Sequence, residues 1–170
     1  MTARGPKRPA GRRIDAPKPG RPKPIGVAWN TARRPLTDQA VRRIARAALA
    51  FGKRPGRALS VVFVSDRALA RMHGRWLGDG APTDVITFDL AEGAAGGPIG
   101  ELYVSVERAL VESRRRGVRP ERELALYVVH GVLHLCGYDD HGPTDRRRMR
   151  AAERRVLEDL GFEHDPTPFP

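Results

Sequence analysis

Residues 121–136, Glu-Arg-Glu-Leu-Ala-Leu-Tyr-Val-Val-His-Gly-Val-Leu-His-Leu-Cys, constrain this chain more than any other segment. From Leu124 onward the only strongly polar side chains are His130 and His134. The run is shorter than the roughly 20 apolar residues that span a bilayer. It reads instead as a helix that is apolar on most of its circumference and therefore buried in a protein core. Gly137 stops it, because glycine lets the chain leave a helix in the left-handed conformation.

The remaining elements are read from periodicity. Ile25–Trp29 alternates as a strand. Pro35-Leu36-Thr37 then offers an N-cap to a helix carrying Val41, Ile44, Ala45, Ala48 and Leu49 at helical spacing up to Gly52. Residues 58–64 (ALSVVFV) are β-branched and strand-like. Ser65 or Asp66 caps a short helix expected to end near Gly74. Short strands follow at 84–88 and 99–104, with a loop at 91–98 between them. Helices are expected at 106–116, stopped by Gly117, and at 143–160, stopped by Gly161. Strands and helices interleave, which predicts an α/β (α+β) single compact domain: a small mixed sheet of about four strands packed with about five helices.

Charge sets the first 24 residues apart. They hold eight Lys or Arg, one Asp and six prolines, with almost no large apolar side chain. Their net +7 is most of the whole chain's +11. Such a segment cannot bury enough surface to offset its ordering entropy. The expected organisation is a disordered basic arm over 1–24, a folded domain over 25–162 and a coil over 163–170. The arm reads either as a solubilising tail or as an anchor to nucleic acid, since each cation near a phosphate releases counterions. Basic residues at the N-terminus without an apolar run behind them do not read as a secretory signal. The single cysteine fits a reducing compartment, so a cytoplasmic location is expected, with no membrane partner and no small organic cofactor.

The chemistry concentrates at His130-Gly131-Val132-Leu133-His134, followed by Gly137-Tyr138-Asp139-Asp140-His141. Residues four apart on a helix share a face, so the two imidazoles can address one point. The turn after Gly137 can return Asp140 or His141 as a third ligand. Three protein ligands with one open position is the layout of a catalytic zinc site. A zincin peptidase would carry Glu directly after the first His as its base; here that position is Gly131.

These residues resemble the signature of the YbeY endoribonuclease family, bacterial rRNA maturation factors. Upstream, Pro82-Thr83-Asp84-Val85-Ile86-Thr87-Phe88 and Ile99-Gly100-Glu101-Leu102-Tyr103-Val104-Ser105 resemble two further family segments in order and spacing. The resemblance covers roughly 58–162. It implies a zinc-dependent, single-strand-specific endoribonuclease acting in 16S rRNA 3′-end maturation and in ribosome biogenesis and quality control. Its partners would be single-stranded RNA, small-subunit rRNA and the ribosome. The family's third histidine aligns with Asp140, with His141 one residue on. A family arginine preceding the Pro-Thr-Asp-Val segment aligns with Leu77, and Arg75, two residues earlier, is the candidate catalytic substitute.

Around the metal ligands, Asp139 and Tyr138 are candidates to support a ligand imidazole, and Thr83 and Asp84 to bind substrate. Cys136 faces away from the histidine stripe and His73 reads as a surface residue. The arginines from Arg146 to Arg155 read as a solvated helix face interleaved with Glu153 and Glu158, with some of them near phosphate. Two other functions compete: a ribosome assembly factor with a structural zinc that binds without cutting, and a metal-dependent hydrolase of another substrate.

Overall fold

The computed structural model describes residues 24–77, 83–90 and 98–162. The arm at 1–23, the loops at 78–82 and 91–97, and the tail at 163–170 with His164 lie outside the described residues. Nine elements follow in order: β1 (Ile25–Trp29), α1 (Asp38–Phe51), β2 (Leu59–Val64), α2 (Asp66–Leu77), β3 (Val85–Asp89), β4 (Gly100–Ser105), α3 (Val106–Arg116), α4 (Pro120–Leu135) and α5 (Pro143–Asp159). This is the expected α/β domain with a four-stranded mixed sheet and five helices among the described residues.

Local chemistry sets the helix boundaries. The Thr37 hydroxyl accepts from the Ala40 N–H at 3.1 Å and caps α1. Ser65 and Ser105 do the same for α2 and α3, accepting from Ala68 and Arg108. Gly117, at φ 68°, closes α3 in the left-handed region. Pro120 opens α4 at a position where its missing N–H costs nothing. One boundary departs from expectation: α2 continues past Gly74 to Leu77. A glycine inside a helix costs only about 1 kcal/mol, which packing can offset, so it need not end one.

The sheet order is β1-β2-β4-β3, with β1, β2 and β4 parallel and β3 antiparallel to β4. Alternation along β2 sends Val61 and Phe63 to the main core and Val62 and Val64 to a smaller cluster around Leu69 of α2. Phe63 stacks on Trp29 at 3.9 Å between ring centroids.

Helix α4 is the centre of the molecule. It touches α1, α3, α5, β3 and β4, as its all-round apolar sequence requires. Leu124, Val128, Val129, Val132 and Leu133 are fully buried, each worth about 1.5–3 kcal/mol of burial. It packs tightly on the sheet at Gly131. A Cβ there would stand 2.6 Å from Leu102 Cδ2 and 3.2 Å from Val85 Cγ2. A side chain at that position would force Leu102 to shift, and one as large as a carboxylate base would force it furthest. The C-terminal turn of α4 is thereby held against β3 and β4, and it carries His130 and His134 toward α5.

Candidate metal centre and groove

His130 and His134 sit one turn apart with ring centroids 4.5 Å apart and planes nearly perpendicular. Their Nε2 atoms face each other at 3.0 Å. What holds the other edge of each ring fixes the chemistry. His134 Nδ1 lies 3.0 Å from the Tyr138 backbone oxygen. A carbonyl only accepts, so Nδ1 carries the proton and donates it. His130 Nδ1 lies 2.6 Å from Glu153 Oε1 and donates to that carboxylate. Both rings therefore present Nε2 to a common point, the arrangement in which outer partners set the tautomer of metal-ligating histidines.

Asp140 completes the point. Its Oδ2 is 3.8 Å from His130 Nε2 and its Oδ1 is 3.9 Å from His134 Nε2. One donor atom from each of His130, His134 and Asp140 lies within 4.8 Å of the other two. Two imidazole lone pairs and a carboxylate aimed at one another repel unless a cation or a proton lies among them. Burial lowers the His130 pKa, but the Glu153 hydrogen bond and charge, with Asp84 and Asp140, raise it above the ordinary value overall. Burial and the neighbouring His130 charge push His134 below its ordinary value. Two nitrogens and a carboxylate oxygen match a zinc-type ligand set.

The turn after Gly137, at φ 91°, delivers Asp140 and not His141 to this point. His141 projects into solvent, and its Nδ1 pairs with Asp139 Oδ1. Asp139 also accepts the Asp140 N–H at 2.7 Å. Asp139 therefore supports an imidazole, but that of His141, outside the paired histidines. Tyr138 serves His134 through its backbone oxygen while its ring packs toward Phe51.

Among the other sequence candidates, Asp84 lines the groove beside His130 and Asp140. Its Oδ1 accepts the Val85 N–H at 2.9 Å. Thr83 donates its hydroxyl to the Val85 oxygen at 3.2 Å and starts the strand. Arg75 lies exposed in the last turn of α2 and is not among the residues lining this groove. Among the described residues, the arginines that line it are Arg116, Arg146 and Arg150. Arg146 donates to the backbone oxygens of Asp140 and His141, at 3.3 and 2.9 Å, and ties down the ligand turn. Cys136 is partly buried against Gly52, where burial raises its thiol pKa. His73 is half-buried, not fully at the surface.

Glu153 corrects the reading of α5 as a solvated face. It is buried, on the same stripe as Met149, Ala152, Val156 and Leu157. That stripe was available as a signal: a carboxylate four residues from Met149 and from Leu157 falls among core positions, where it requires a partner.

A family sequence model described as Endoribonuclease YbeY matches residues 28–161. The chain is 36% identical over 131 residues to an endoribonuclease YbeY of Chlorobium luteolum, covering 77% of this chain and 94% of that protein. It is 35% identical over 132 residues to one from an Anaeromyxobacter species, covering 75% and 69%. A match to the Myxococcus xanthus endoribonuclease YbeY, 37% identical, covers 71% of this chain but 42% of that longer protein. A solution structure of a Thermotoga maritima protein shares the fold, with a TM-score of 0.53 at 22% identity, over 85% of this chain and 99% of that one. With the motif segments, the paired histidines and the family match all falling on the same residues, the chain belongs to the YbeY endoribonuclease family.

Proposed function

We propose that this endoribonuclease is zinc-dependent, cuts single-stranded RNA, and acts in the cytoplasm in 16S rRNA 3′-end maturation, ribosome biogenesis and quality control. The observation that carries the reading is the convergence of His130 Nε2, His134 Nε2 and the Asp140 carboxylate in a groove also lined by arginines. His130, His134 and Asp140 would hold one zinc ion. Zinc bound there would supply a Lewis acid that activates water near neutral pH and draws charge from a phosphoryl oxygen.

The chain's own residues do the rest. Glu153 and the Tyr138 oxygen keep Nδ1 of both rings protonated, so Nε2 stays a donor to metal. Arg146 fixes the turn that carries Asp140. Arginines on the groove wall offset the charge of a phosphate backbone. Asp84 can accept a hydrogen bond from a ribose 2′-hydroxyl, the group that distinguishes RNA from DNA. Residues 25–162 form the catalytic domain in this reading, and residues 1–24 add non-specific attraction to RNA. Gly131, packed on Leu102, counts against a zincin peptidase.

The test is metal content together with cleavage of a single-stranded and a duplex RNA by the purified chain, with His134→Ala as control. About one zinc per chain and cleavage of the single strand alone, both lost in the variant, are expected. Zinc-loaded protein that binds RNA without cutting it would establish the assembly-factor reading instead.

A further inference from the structure

Helix α3 ends in Arg114, Arg115 and Arg116. The first two are exposed, whereas Arg116 turns back over the start of α4 with its side chain 21% exposed. Its Nη1 lies 3.4 Å from Glu123 Oε1 and its Nε 3.8 Å from Glu112 Oε2. Glu123 is fully buried. A buried carboxylate carries a large desolvation cost, and replacing a buried ion pair by apolar or neutral groups is commonly neutral or stabilising. Stability alone is therefore a weak reason for this pair. Its geometric effect is specific: two carboxylates on successive helices stand within ion-pair distance of the guanidinium of Arg116, which lines the groove with His130 and Asp140.

The position matters because the groove has two walls. Arg146 and Arg150 come from α5 and Arg116 comes from α3, two helices that both pack on α4. The same lining includes Asp84, Asp140 and Glu153, which would repel a polyanion. A strand lying across the metal ligands needs a cation on the α3 side as well as on the α5 side. A guanidinium presents five N–H donors in one plane, enough to serve carboxylates and a phosphate together.

We propose that Arg116, clamped by Glu112 and Glu123 at the end of α3, binds a backbone phosphate of the RNA flanking the cleavage point. This rests on the single-strand endonuclease reading and adds a substrate contact to it. The contact is made equally before and during the reaction, so its loss falls on KM and not on kcat.

Arg116→Gln alone would leave the Glu123 charge buried and unpaired and could unfold the chain. The deciding variant is therefore Arg116→Gln with Glu123→Gln, which removes both charges, alongside Arg116→Lys, which keeps one cation. The full zinc-loaded chain is assayed on a short single-stranded RNA, with KM and kcat measured across a salt series. The double variant is expected to keep its zinc, to raise KM about tenfold with kcat within about twofold, and to flatten the salt slope by about 0.7, one phosphate contact. Arg116→Lys should recover the salt slope but not the full affinity, because lysine lacks the planar fork. Wild-type KM and slope in the double variant would overturn the proposal and leave Arg116 as a counter-ion to Glu123. Loss of zinc or of kcat would also overturn it, by showing that the pair acts through the metal site. A wild-type chain that neither binds nor cuts RNA would overturn the underlying reading, and this inference with it.

Discussion

Glu153→Gln is the sharpest probe of the metal centre, because it alters no candidate ligand. The side chain is 9% exposed and its Oε1 lies 2.6 Å from His130 Nδ1. Glutamine keeps the shape and an acceptor oxygen but removes the charge. Loss of an outer partner to a metal-bound histidine typically costs 10- to 100-fold in metal affinity. Glutamine retains the hydrogen bond, so the low end applies: about tenfold, or about 1.4 kcal/mol. Glu153→Ala also frees the ring to exchange tautomers and should approach 100-fold. The same anion raises proton affinity at His130, where burial alone would lower it. Protons therefore compete with metal more strongly in the wild type than in the variant, and the gap between them should narrow as pH falls. The assay is competition for zinc against a chromophoric chelator at several pH values. If Glu153→Gln binds zinc within twofold of wild type at pH 7.5 and across the series, Glu153 packs beside His130 without tuning it, and the reasoning fails.

Three other outcomes follow from the geometry. Asp140→Ala should lose zinc, by elemental analysis, whereas His141→Ala should keep it, since only Asp140 reaches both Nε2 atoms; the reverse would mean that the turn rearranges around metal. Gly131→Ala should destabilise the fold by about 1–3 kcal/mol in urea unfolding, because its methyl would overlap Leu102; wild-type stability would mean that α4 can lift from the sheet freely. Deletion of residues 1–24, which carry +7, should leave zinc content unchanged and make the salt dependence of RNA binding shallower by roughly 2–3 units, if three or four phosphates lose a partner. An unchanged slope would leave the arm a solubility tail.

The fold was legible wherever one local signal dominated. Val41, Ile44, Ala45, Ala48 and Leu49 mark the buried face of α1, and Thr37 and Gly52 bound it. The apolar run of α4 foretold a buried helix. At the site, the pair His130 and His134 was legible because helical spacing alone places them together. What escaped lies far off in sequence. Glu153 is 23 residues from His130, and its role depends on how α5 crosses α4. Arg116 reaches the groove only because α3 and α4 turn back on each other at Gly117. Arg75 shows the converse. Proximity to a motif in sequence made it a candidate; it stands exposed near the end of α2, which runs on past Gly74, and is not among the described residues lining the groove.

The choice between Asp140 and His141 could not come from spacing, since both lie within reach of a flexible turn. The backbone places Asp140, and not His141, beside the paired histidines. Gly137 takes the left-handed conformation, so the chain reverses at once and brings the Tyr138 oxygen under His134 Nδ1 at 3.0 Å. That one hydrogen bond has two effects. It fixes the tautomer that leaves His134 Nε2 open, and it anchors the turn two residues before Asp140. From that anchor Asp139 folds outward, where its carboxylate takes the Asp140 N–H and the His141 ring. Asp140, on the opposite side, is turned inward, and Arg146 holds its carbonyl from α5. A shift of one residue would bring His141 in, but it would break the Asp139 turn and move the carbonyls that Arg146 holds. The carboxylate in the candidate ligand set is thus a consequence of the turn, and the turn shares with the histidine tautomers the Tyr138 oxygen that holds His134.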